Sequence, residues 1–296
     1  MLSALLRLAK RLLARVAPGW HPSRNPLVGH VLSAWASHRR PEVLTTKHGF
    51  DLYVPAEDRS PIVVSLLLEG EYEPEETRAM QSLLRPGDVA IDVGANVGYM
   101  SCLMARRVGE AGAIYAFEPE PCHAAALRRN AALNGMPQLR CYQLALSDKG
   151  EQVPLYLNPD NPGDHTLVAL EERDSIDIET LSFDSFWKRT GDSRPIRLVK
   201  IDVQGHELAV IRGMQRTLTE QQIESLLIEI WPYRLEEGGP SCDHLMQALM
   251  DLTWTCRILS CTEGIEVHNL EDIRRVAAER SSDRHLSFNV LLQRRG

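Results

Sequence analysis

The segment VAIDVGANVGYMS at 89–101 combines residue types and a spacing that suit a small-molecule site. Its first five residues are those of a buried strand, and Gly94 and Gly98 then permit positive φ angles and close approach of the backbone. A helical pattern begins at Tyr99. A strand, a glycine turn and a helix in this order predict a nucleotide-type site, where the ligand lies over the turn and against the positive end of the helix.

Two polar residues in this segment, Asp92 and Asn96, indicate which ligand the turn binds. Dinucleotide-binding folds use GxGxxG because their backbone must approach a pyrophosphate, whereas this turn reads GxNxG. A carboxylate two residues before Gly94 would repel a phosphate. It suits a ligand with ammonium and sulfonium charges, so the turn predicts S-adenosylmethionine as cofactor, with its amino-acid end across the turn.

A further acid, Glu118, directly follows AIYAF, the second predicted strand. An acid at the end of strand two accepts hydrogen bonds from both ribose hydroxyls of a nucleotide. NAD-binding proteins share this placement, so Glu118 alone does not distinguish the two ligands. A nucleotide-dependent oxidoreductase or epimerase is therefore the alternative enzyme, and both Asp92 and the absent second glycine of GxGxxG disfavour it.

Alternating strand and helix patterns must position these residues. Strands are predicted at 89–92, Ala113–Phe117, Leu139–Leu144, Ile196–Ile201, Leu226–Ile230, Trp254–Leu259 and Leu286–Leu292, and helices at Tyr99–Val108, Pro121–Leu133, Glu207–Leu218 and Ser241–Leu252. Strands separated by such helices predict an α/β fold with a mostly parallel sheet covered on both faces. A turn-rich insertion at 151–185, which contains LNPDNPGDH, interrupts this alternation.

Composition predicts a folded chain with one principal domain at 41–296. The chain has 296 residues, of which 44% are hydrophobic and 25% charged, enough for a sizeable core. Its six cysteines form no CxxC pair and have no metal-ligand spacing with histidine, which favours a reducing, cytoplasmic compartment. No apolar run reaches the ~18 residues of a membrane-spanning helix.

Charge divides the chain into a basic extension, 1–40, and an acidic remainder. The extension has seven Lys or Arg and no acid, whereas the other 256 residues carry 26 basic and 40 acidic side chains, a poor balance for binding long nucleic acid. Within the extension, apolar and basic residues alternate with helical spacing, as in a basic amphipathic helix. This helix could dock on its own domain or on a second subunit, lie peripherally on a membrane surface, or be a cleaved organellar presequence.

Several motifs, taken in order, resemble the FkbM family of class I S-adenosylmethionine-dependent methyltransferases. They are GEYEPEE, LLRPGDVAIDVGANVGYMS, AFEPEP, NAALNG, LALSDKG, LVKIDVQGHELAVIRGM and LLIEI, which cover roughly 65–231, and the closing SFNVLL. The resemblance implies a Rossmann-like sheet of seven strands, six parallel and one antiparallel, the last supplied by the strand near Leu286. It also implies O-methylation of a hydroxyl on a sugar, glycan or natural-product small molecule.

The same resemblance assigns roles to individual residues. It places Asp92, Gly94, Asn96 and Gly98 in the cofactor loop, Glu118 on the ribose, Ala145, Leu146, Ser147 and Asp148 beside the adenine, and Asp202 opposite the transferable methyl group and the substrate. The chain departs from the usual pattern at Gln204, where an acid is common, and at His206, where a small residue is common.

Transfer of a methyl group to a hydroxyl requires a base for the hydroxyl proton. Asp202 is the first candidate, and His206 is the second because it lies one helical turn further on if a helix has already begun. His165, in the insertion, is a third candidate, with Asp164 beside it. Metal assistance through Asp202 and Glu229 lacks a closely spaced ligand set. A catalytically silent adaptor that keeps the fold and docks through its basic helix is the alternative from another functional class.

Overall fold

The computed structural model describes 42–294, except 57, 59, 171, 221, 240–241, 251–253, 260–268 and 284–285. The predicted basic helix of the extension and Cys261 therefore lie outside the described residues, and the domain boundary near residue 40 stays a prediction. Within the described part of the chain, no helix is long and apolar enough to cross a membrane.

Seven strands form the central sheet. They are β3 (Val89–Val93), β4 (Ala113–Phe117), β5 (Leu139–Tyr142), β9 (Ile196–Ile201), β10 (Ser225–Ile230), β11 (Trp254–Ile258) and β12 (Phe288–Arg294). Their spatial order in the sheet is β11-β12-β10-β9-β3-β4-β5. Only β12 runs against its neighbours, β10 and β11, while the other pairs are parallel. This confirms the predicted Rossmann-like sheet with one antiparallel strand, although that strand begins at Phe288 rather than at Leu286.

Helices cover both faces of the sheet. One face carries α1 (Pro61–Glu69), α2 (Pro74–Leu83), α3 (Tyr99–Val108) and α4 (Pro121–Leu133), and the other α5 (Phe183–Thr190), α6 (Glu207–Gly213), α7 (Gln215–Thr219), α8 (Pro232–Glu237), α9 (Cys242–Met250) and α10 (Leu270–Arg280). Central strands are thus buried on both sides: in β3, Ile91 packs into one hydrophobic cluster and Ala90 into the other.

The remaining strands form two small sheets. A hairpin of β1 (Val43–Thr45) and β2 (Asp51–Tyr53) precedes α1, and a three-stranded sheet of β6 (Ala145–Ser147), β8 (Ser175–Ser182) and β7 (Gln152–Tyr156) lies within and beside the insertion. The insertion is therefore more regular than its turn-rich sequence predicts. Main-sheet pairing ends at Tyr142, so the strand predicted to reach Leu144 is shorter.

The helix predicted at Glu207–Leu218 is divided into α6 and α7 at Met214. Just before the break, Gly213 packs directly on β6, and a Cβ atom at this position would lie 1.9 Å from the Ser147 carbonyl oxygen. The small sheet and α6 are therefore held in close backbone contact, which fixes the position of β6 beside the main sheet.

Candidate active site

A cavity of about 540 Å³ opens at the carboxyl ends of the central strands. The ends of β3, β4, β9 and β10 supply its floor, and segments of the insertion and the start of α1 supply further walls. Residues 161–163 and 165–167 of the insertion line it. Ligands of open parallel sheets bind at this edge, so the fold brings the sequence-predicted site to the expected place.

The glycine turn between β3 and α3 depends on glycine at two positions. Gly94 has a φ of 81°, and a Cβ atom there would lie 1.9 Å from the Asp202 carbonyl oxygen. Gly98 has a φ of 91°, and its Cβ would lie 2.5 Å from Leu127 Cδ1. Asn96 also adopts a left-handed conformation, with a φ of 51°. A side chain at Gly94 would therefore separate β3 from the loop after β9, whereas one at Gly98 would displace the end of the Leu127 side chain.

Hydrogen bonds within the protein already use the amides of this turn. Gly94 N and Ala95 N donate to the Phe117 carbonyl oxygen at 3.0 and 2.9 Å, and Gly98 N donates to Ala95 O at 2.9 Å. The amides of Asn96 and Val97 donate to the carboxylate of Glu118 and to Asn96 Oδ1. None of these five amides is therefore left for a pyrophosphate, which disfavours the nucleotide-dependent oxidoreductase.

Glu118 lies on the cavity wall at the end of β4, and only 6% of its surface is exposed. Its Oε2 accepts a hydrogen bond from Asn96 N at 2.8 Å and its Oε1 accepts one from Glu120 N at 2.9 Å. These bonds fix the carboxylate and leave each oxygen with spare acceptor capacity. Burial raises the pKa of Glu118.

Asp92 lies beneath the turn rather than on the cavity wall. Its carboxylate is fully buried, accepts a hydrogen bond from Ser101 Oγ at 2.5 Å and lies 4.0 Å from Lys200 Nζ. Burial raises its pKa. Since Asp92 is absent from the residues that line the cavity, its effect on a ligand passes through Lys200 and the turn.

The segment predicted to lie beside an adenine is divided between the cavity and its surroundings. Ala145 and Leu146 line the cavity, whereas Ser147 and Asp148 do not. Ser147 Oγ instead lies 3.0 Å from His206 Nε2. Ser147 therefore orients the imidazole of His206, which does line the cavity.

A hydrogen-bonded polar cluster occupies the cavity wall at the ends of β9 and β10. Lys200 Nζ donates to Asp202 Oδ2 at 3.1 Å, and Gln204 Nε2 bridges Asp202 Oδ1 and Glu229 Oε2 at 2.6 and 2.7 Å. Ser287 Oγ donates to the other oxygen of Glu229 at 2.7 Å. These contacts join residues of β9, β10 and the segment before β12 into one network.

Charges within this cluster are shared unequally. Burial would raise the pKa of Asp202, but the Lys200 ammonium and its hydrogen bonds hold that pKa below its ordinary value. Burial and the neighbouring Asp202 raise the pKa of Glu229 well above its ordinary value. Asp202 is therefore the more acidic member of the carboxyl pair, and Glu229 holds a proton more tightly.

The two histidines predicted as bases lie on the cavity wall, but each has a hydrogen-bond partner. The helix begins only at Glu207, because Gln204 and Gly205 have φ angles of 53° and 102°, so His206 does not lie one helical turn from Asp202. Burial lowers the pKa of His206. His165 Nδ1 accepts a hydrogen bond from Asn158 N at 2.9 Å, and burial lowers its pKa to about 4. Its Nδ1 is therefore already occupied.

Asp164 does not line the cavity. Its carboxylate binds Arg173 Nη2 at 2.7 Å and Arg234 Nη2 at 3.1 Å, and only 7% of Asp164 is exposed. Arg234 belongs to α8. Asp164 therefore anchors the insertion to the helical layer beneath it.

Glu73 and Lys200 are among the ionisable residues of the cavity wall that sequence reasoning did not single out. Both lie in motifs that were recognised: Glu73 in GEYEPEE and Lys200 in LVKIDVQG. Buried lysines are rare unless they are paired, so a lysine inside a buried strand pattern next to Asp202 was the available signal. Among the described residues, no group of three or more His, Cys, Asp or Glu is arranged to hold a metal ion.

The description "Methyltransferase FkbM domain" belongs to a family model that matches 92–258, more than half of the chain. The chain belongs to the FkbM methyltransferase family. This confirms the resemblance inferred from the ordered motifs and, with it, S-adenosylmethionine as the cofactor predicted from the turn. The matched region runs from Asp92 through the polar cluster to the end of β11.

Curated relatives of this FkbM chain include two with sugar- or position-specific names. It is 32% identical over 148 residues to the hexuronic acid methyltransferase AglP of Haloferax volcanii, covering 48% of this chain and 56% of AglP. It is 28% identical over 194 residues to the 2-O-methyltransferase NoeI of Sinorhizobium fredii, covering 59% of this chain and 75% of NoeI. The chain spans 56 to 65% of the length of three of its curated relatives.

Among solved structures, an rRNA methylase from Streptococcus thermophilus resembles the chain with a TM-score of 0.44 and 10% identity. The alignment covers 76% of this chain and 98% of that protein. The strand order and directions described above establish the fold independently of this likeness.

Proposed function

We propose that this chain is an S-adenosylmethionine-dependent O-methyltransferase whose acceptor is a hydroxyl on a sugar, glycan or small natural product. One observation carries the proposal: a single cavity joins the fixed carboxylate of Glu118 to the polar cluster of Asp202, Gln204 and Glu229. The first end suits a ribose diol, and the second suits a hydroxylated acceptor.

The residues of the cavity fit this cofactor on chemical grounds. Carboxyl groups dominate its charged lining, and Lys200, the single Lys or Arg among the described lining residues, is held by Asp202. Such a lining favours a ligand that carries a sulfonium and an ammonium group over one that carries phosphates. When bound, the cofactor supplies an electrophilic methyl group on positively charged sulfur.

In this proposal, eight of the predicted site residues have a defined task. Glu118 accepts hydrogen bonds from the ribose, Ala145 and Leu146 contact the adenine, and the turn of Gly94, Asn96 and Gly98 shapes the backbone beneath the amino-acid end. Asp202 holds a fixed negative charge beside the sulfonium, and Asp92 keeps Lys200 in place. The insertion, which forms part of the cavity wall, excludes water from the site, and this strengthens these electrostatic interactions.

The acceptor class draws support from the relatives. AglP is named for a hexuronic acid and NoeI for 2-O-methylation. The hydrogen-bonding groups of the polar cluster are those that bind hydroxyls, since carboxylate and amide oxygens accept from them. A hydroxylated acceptor therefore agrees with both lines of support.

Methyl transfer from labelled S-adenosylmethionine to a panel of neutral, amino and acidic glycosides tests this function. We expect label in at least one glycoside product, stable to mild base as an ether is and a methyl ester is not. Binding of the cofactor without transfer to any glycoside would reject the sugar acceptor. Absence of cofactor binding would reject the enzyme itself and favour the silent adaptor.

A further inference from the structure

Glu73 occupies an unusual position at the start of α2. It is the N-cap residue, yet its side chain makes no capping hydrogen bond to the helix. Its φ of 44° lies in the left-handed region, which is costly for a residue with a Cβ atom. The carboxylate instead lines the cavity. Backbone strain of this kind persists at functional sites, where it serves to aim a side chain.

The groups that face Glu73 come from every element around it. They are Tyr72 from the preceding segment, Glu76 from the first turn of α2, Tyr99 from α3, Lys200 from β9, Asp202 from the loop after β9, and Glu229 from β10. Glu73 therefore lies at the same end of the cavity as the polar cluster that was assigned to the acceptor.

The carboxyl groups at this end differ in their partners and in their basicity, and Glu73 is itself hydrogen-bonded to Tyr72. Both oxygens of Asp202 accept hydrogen bonds, from Lys200 and Gln204, and the Lys200 ammonium lowers its basicity. Both oxygens of Glu229 accept as well, from Ser287 and Gln204. Asp202 is therefore a weaker base than Glu73, and the Glu229 carboxyl is held on both oxygens by the polar cluster.

We propose that Glu73 is the general base that removes the acceptor's hydroxyl proton, an inference that rests on the proposed O-methyltransferase function. The acceptor oxygen forms a bond to the methyl carbon as its proton passes to a carboxylate oxygen of Glu73. The carbon–sulfur bond breaks with its electron pair left on sulfur, so that S-adenosylhomocysteine is the other product. Asp202 and Lys200 position Glu73 and the acceptor electrostatically and take no proton.

The basicity of Glu73 suits this task. Burial and the neighbouring Glu76 raise its pKa to about 8, against a smaller opposing effect of Lys200. A base acts only when deprotonated, so kcat must rise with pH through the pKa of the group that serves. If Glu73 is the base, kcat should rise with pH around a midpoint near 8. Asp202 would give no rise above neutral pH, and His206 would give one below 6.5.

The test is the pH profile of kcat for methyl transfer to any glycoside that the panel identifies, with saturating S-adenosylmethionine. We expect the wild-type kcat to show an inflection near pH 8. In Glu73→Gln this inflection should be lost, and kcat should fall by about 100-fold or more. Glu75→Gln, an exposed carboxyl in the same first turn, is the matched control and should behave as the wild type. An unchanged profile in Glu73→Gln would overturn the proposal.

Glu73→Gly separates catalysis from folding. Glycine adopts a φ of 44° without strain, so this variant should unfold at the same or a higher temperature than the wild type while losing the same activity as Glu73→Gln. Calorimetry with S-adenosylhomocysteine should give wild-type affinity for both variants. A strong loss of that affinity would instead assign Glu73 to the cofactor and overturn its role as base.

Two readouts keep this inference distinct from the proposed function. If the wild type binds S-adenosylhomocysteine but methylates no glycoside, the proposed acceptor fails. Titration of the Glu73 carboxyl by carbon NMR, with the bound product, then tests the inference alone: a pKa below about 6 would contradict it, because such a carboxylate is too weak a base for this task.

Discussion

At the residue scale, the site depends on a few side chains that hydrogen bonds within the protein fix before any ligand binds. Glu118 is held by two amides, and Asp202 by Lys200 and Gln204. The motif predicts Asp92 at the ligand, but the structure places it beneath the turn, where it contacts Ser101 and lies near Lys200. The carboxylate next to the glycine turn thus organises the polar lining of the cavity.

Glu118 gives the sharpest prediction at this scale. Glu118→Ala should weaken binding of S-adenosylhomocysteine by about 2 kcal/mol, because hydrogen bonds from the ribose to a charged acceptor are lost. Calorimetry measures the change, and Glu110→Ala, which removes an exposed carboxyl beyond α3, serves as control. Unchanged affinity in a folded Glu118→Ala protein would contradict the ribose assignment.

Sequence patterns predicted the positions of the glycine turn and Glu118 better than the position of Glu73. The turn at 94–98 and Glu118 are contiguous in sequence with strands whose pattern is clear, so their positions follow from local rules. The base does not, since Glu73 approaches Asp202 only through tertiary packing of α2 against the sheet. Its left-handed backbone also has no signature in the sequence, because glycine or asparagine is usual there.

At the element scale, the main sheet and half of the described helices were predictable and the insertion was not. Strands buried on both faces appear as continuous apolar runs, such as 113–117, and α3 and α4 have clear ends. The strand β7 contains Pro154 and pairs along its length with β8, with one further bridge between Tyr156 and Thr166, so its pattern is that of an edge strand mixed with turn residues. Neither the hairpin of β1 and β2 nor α1 and α2 was predicted.

An ion cluster of Asp164, Arg173 and Arg234 should determine how firmly the insertion covers the cavity. Arg234→Met removes one partner of a buried carboxylate, which we expect to lower the free energy of unfolding by about 3 kcal/mol. Asp164→Asn should lower the free energy of unfolding less in the Arg234→Met background than in the wild type, since both substitutions remove the same interaction. Urea denaturation of both single variants and the double variant measures this coupling.

The affinity for S-adenosylhomocysteine should fall in Arg234→Met as well, because residues 161–163 and 165–167 line the cavity. Arg173→Ala is the milder comparison, as Arg173 is partly exposed and leaves Asp164 paired with Arg234. Strictly additive stability changes in the double variant would show that Asp164 and Arg234 act independently and that the insertion is anchored elsewhere.

At the scale of the whole molecule, buried acids make stability depend on pH. Burial raises the pKa of Glu207 to about 7 from an unfolded value of 4.5. The folded state therefore holds this proton more tightly, and the resulting stability is fully present below 4.5 and lost as the pH rises through 7. The shift corresponds to roughly 3 kcal/mol, and Glu73 acts in the same direction.

We accordingly expect the midpoint of urea denaturation to be lower at about pH 8.5 than at about pH 6. Glu207→Gln should reduce that difference, because a neutral amide replaces the group that titrates. Glu236→Gln, at an exposed position of α8, is the control and should leave the difference unchanged. The same pH dependence in Glu207→Gln and in the wild type would contradict the assignment of this proton to Glu207.

On the proposed function, the cavity binds a sulfonium-type methyl donor and not a dinucleotide. Calorimetric titration of the full chain with S-adenosylhomocysteine and, separately, with NAD tests it most directly. We expect one S-adenosylhomocysteine to bind per chain, with lower affinity in Glu118→Ala, and NAD to give no heat. The amides of the turn are all occupied, and Lys200, the single Lys or Arg among the described lining residues, is held by Asp202. Binding of NAD with comparable affinity, or of neither compound, would contradict it.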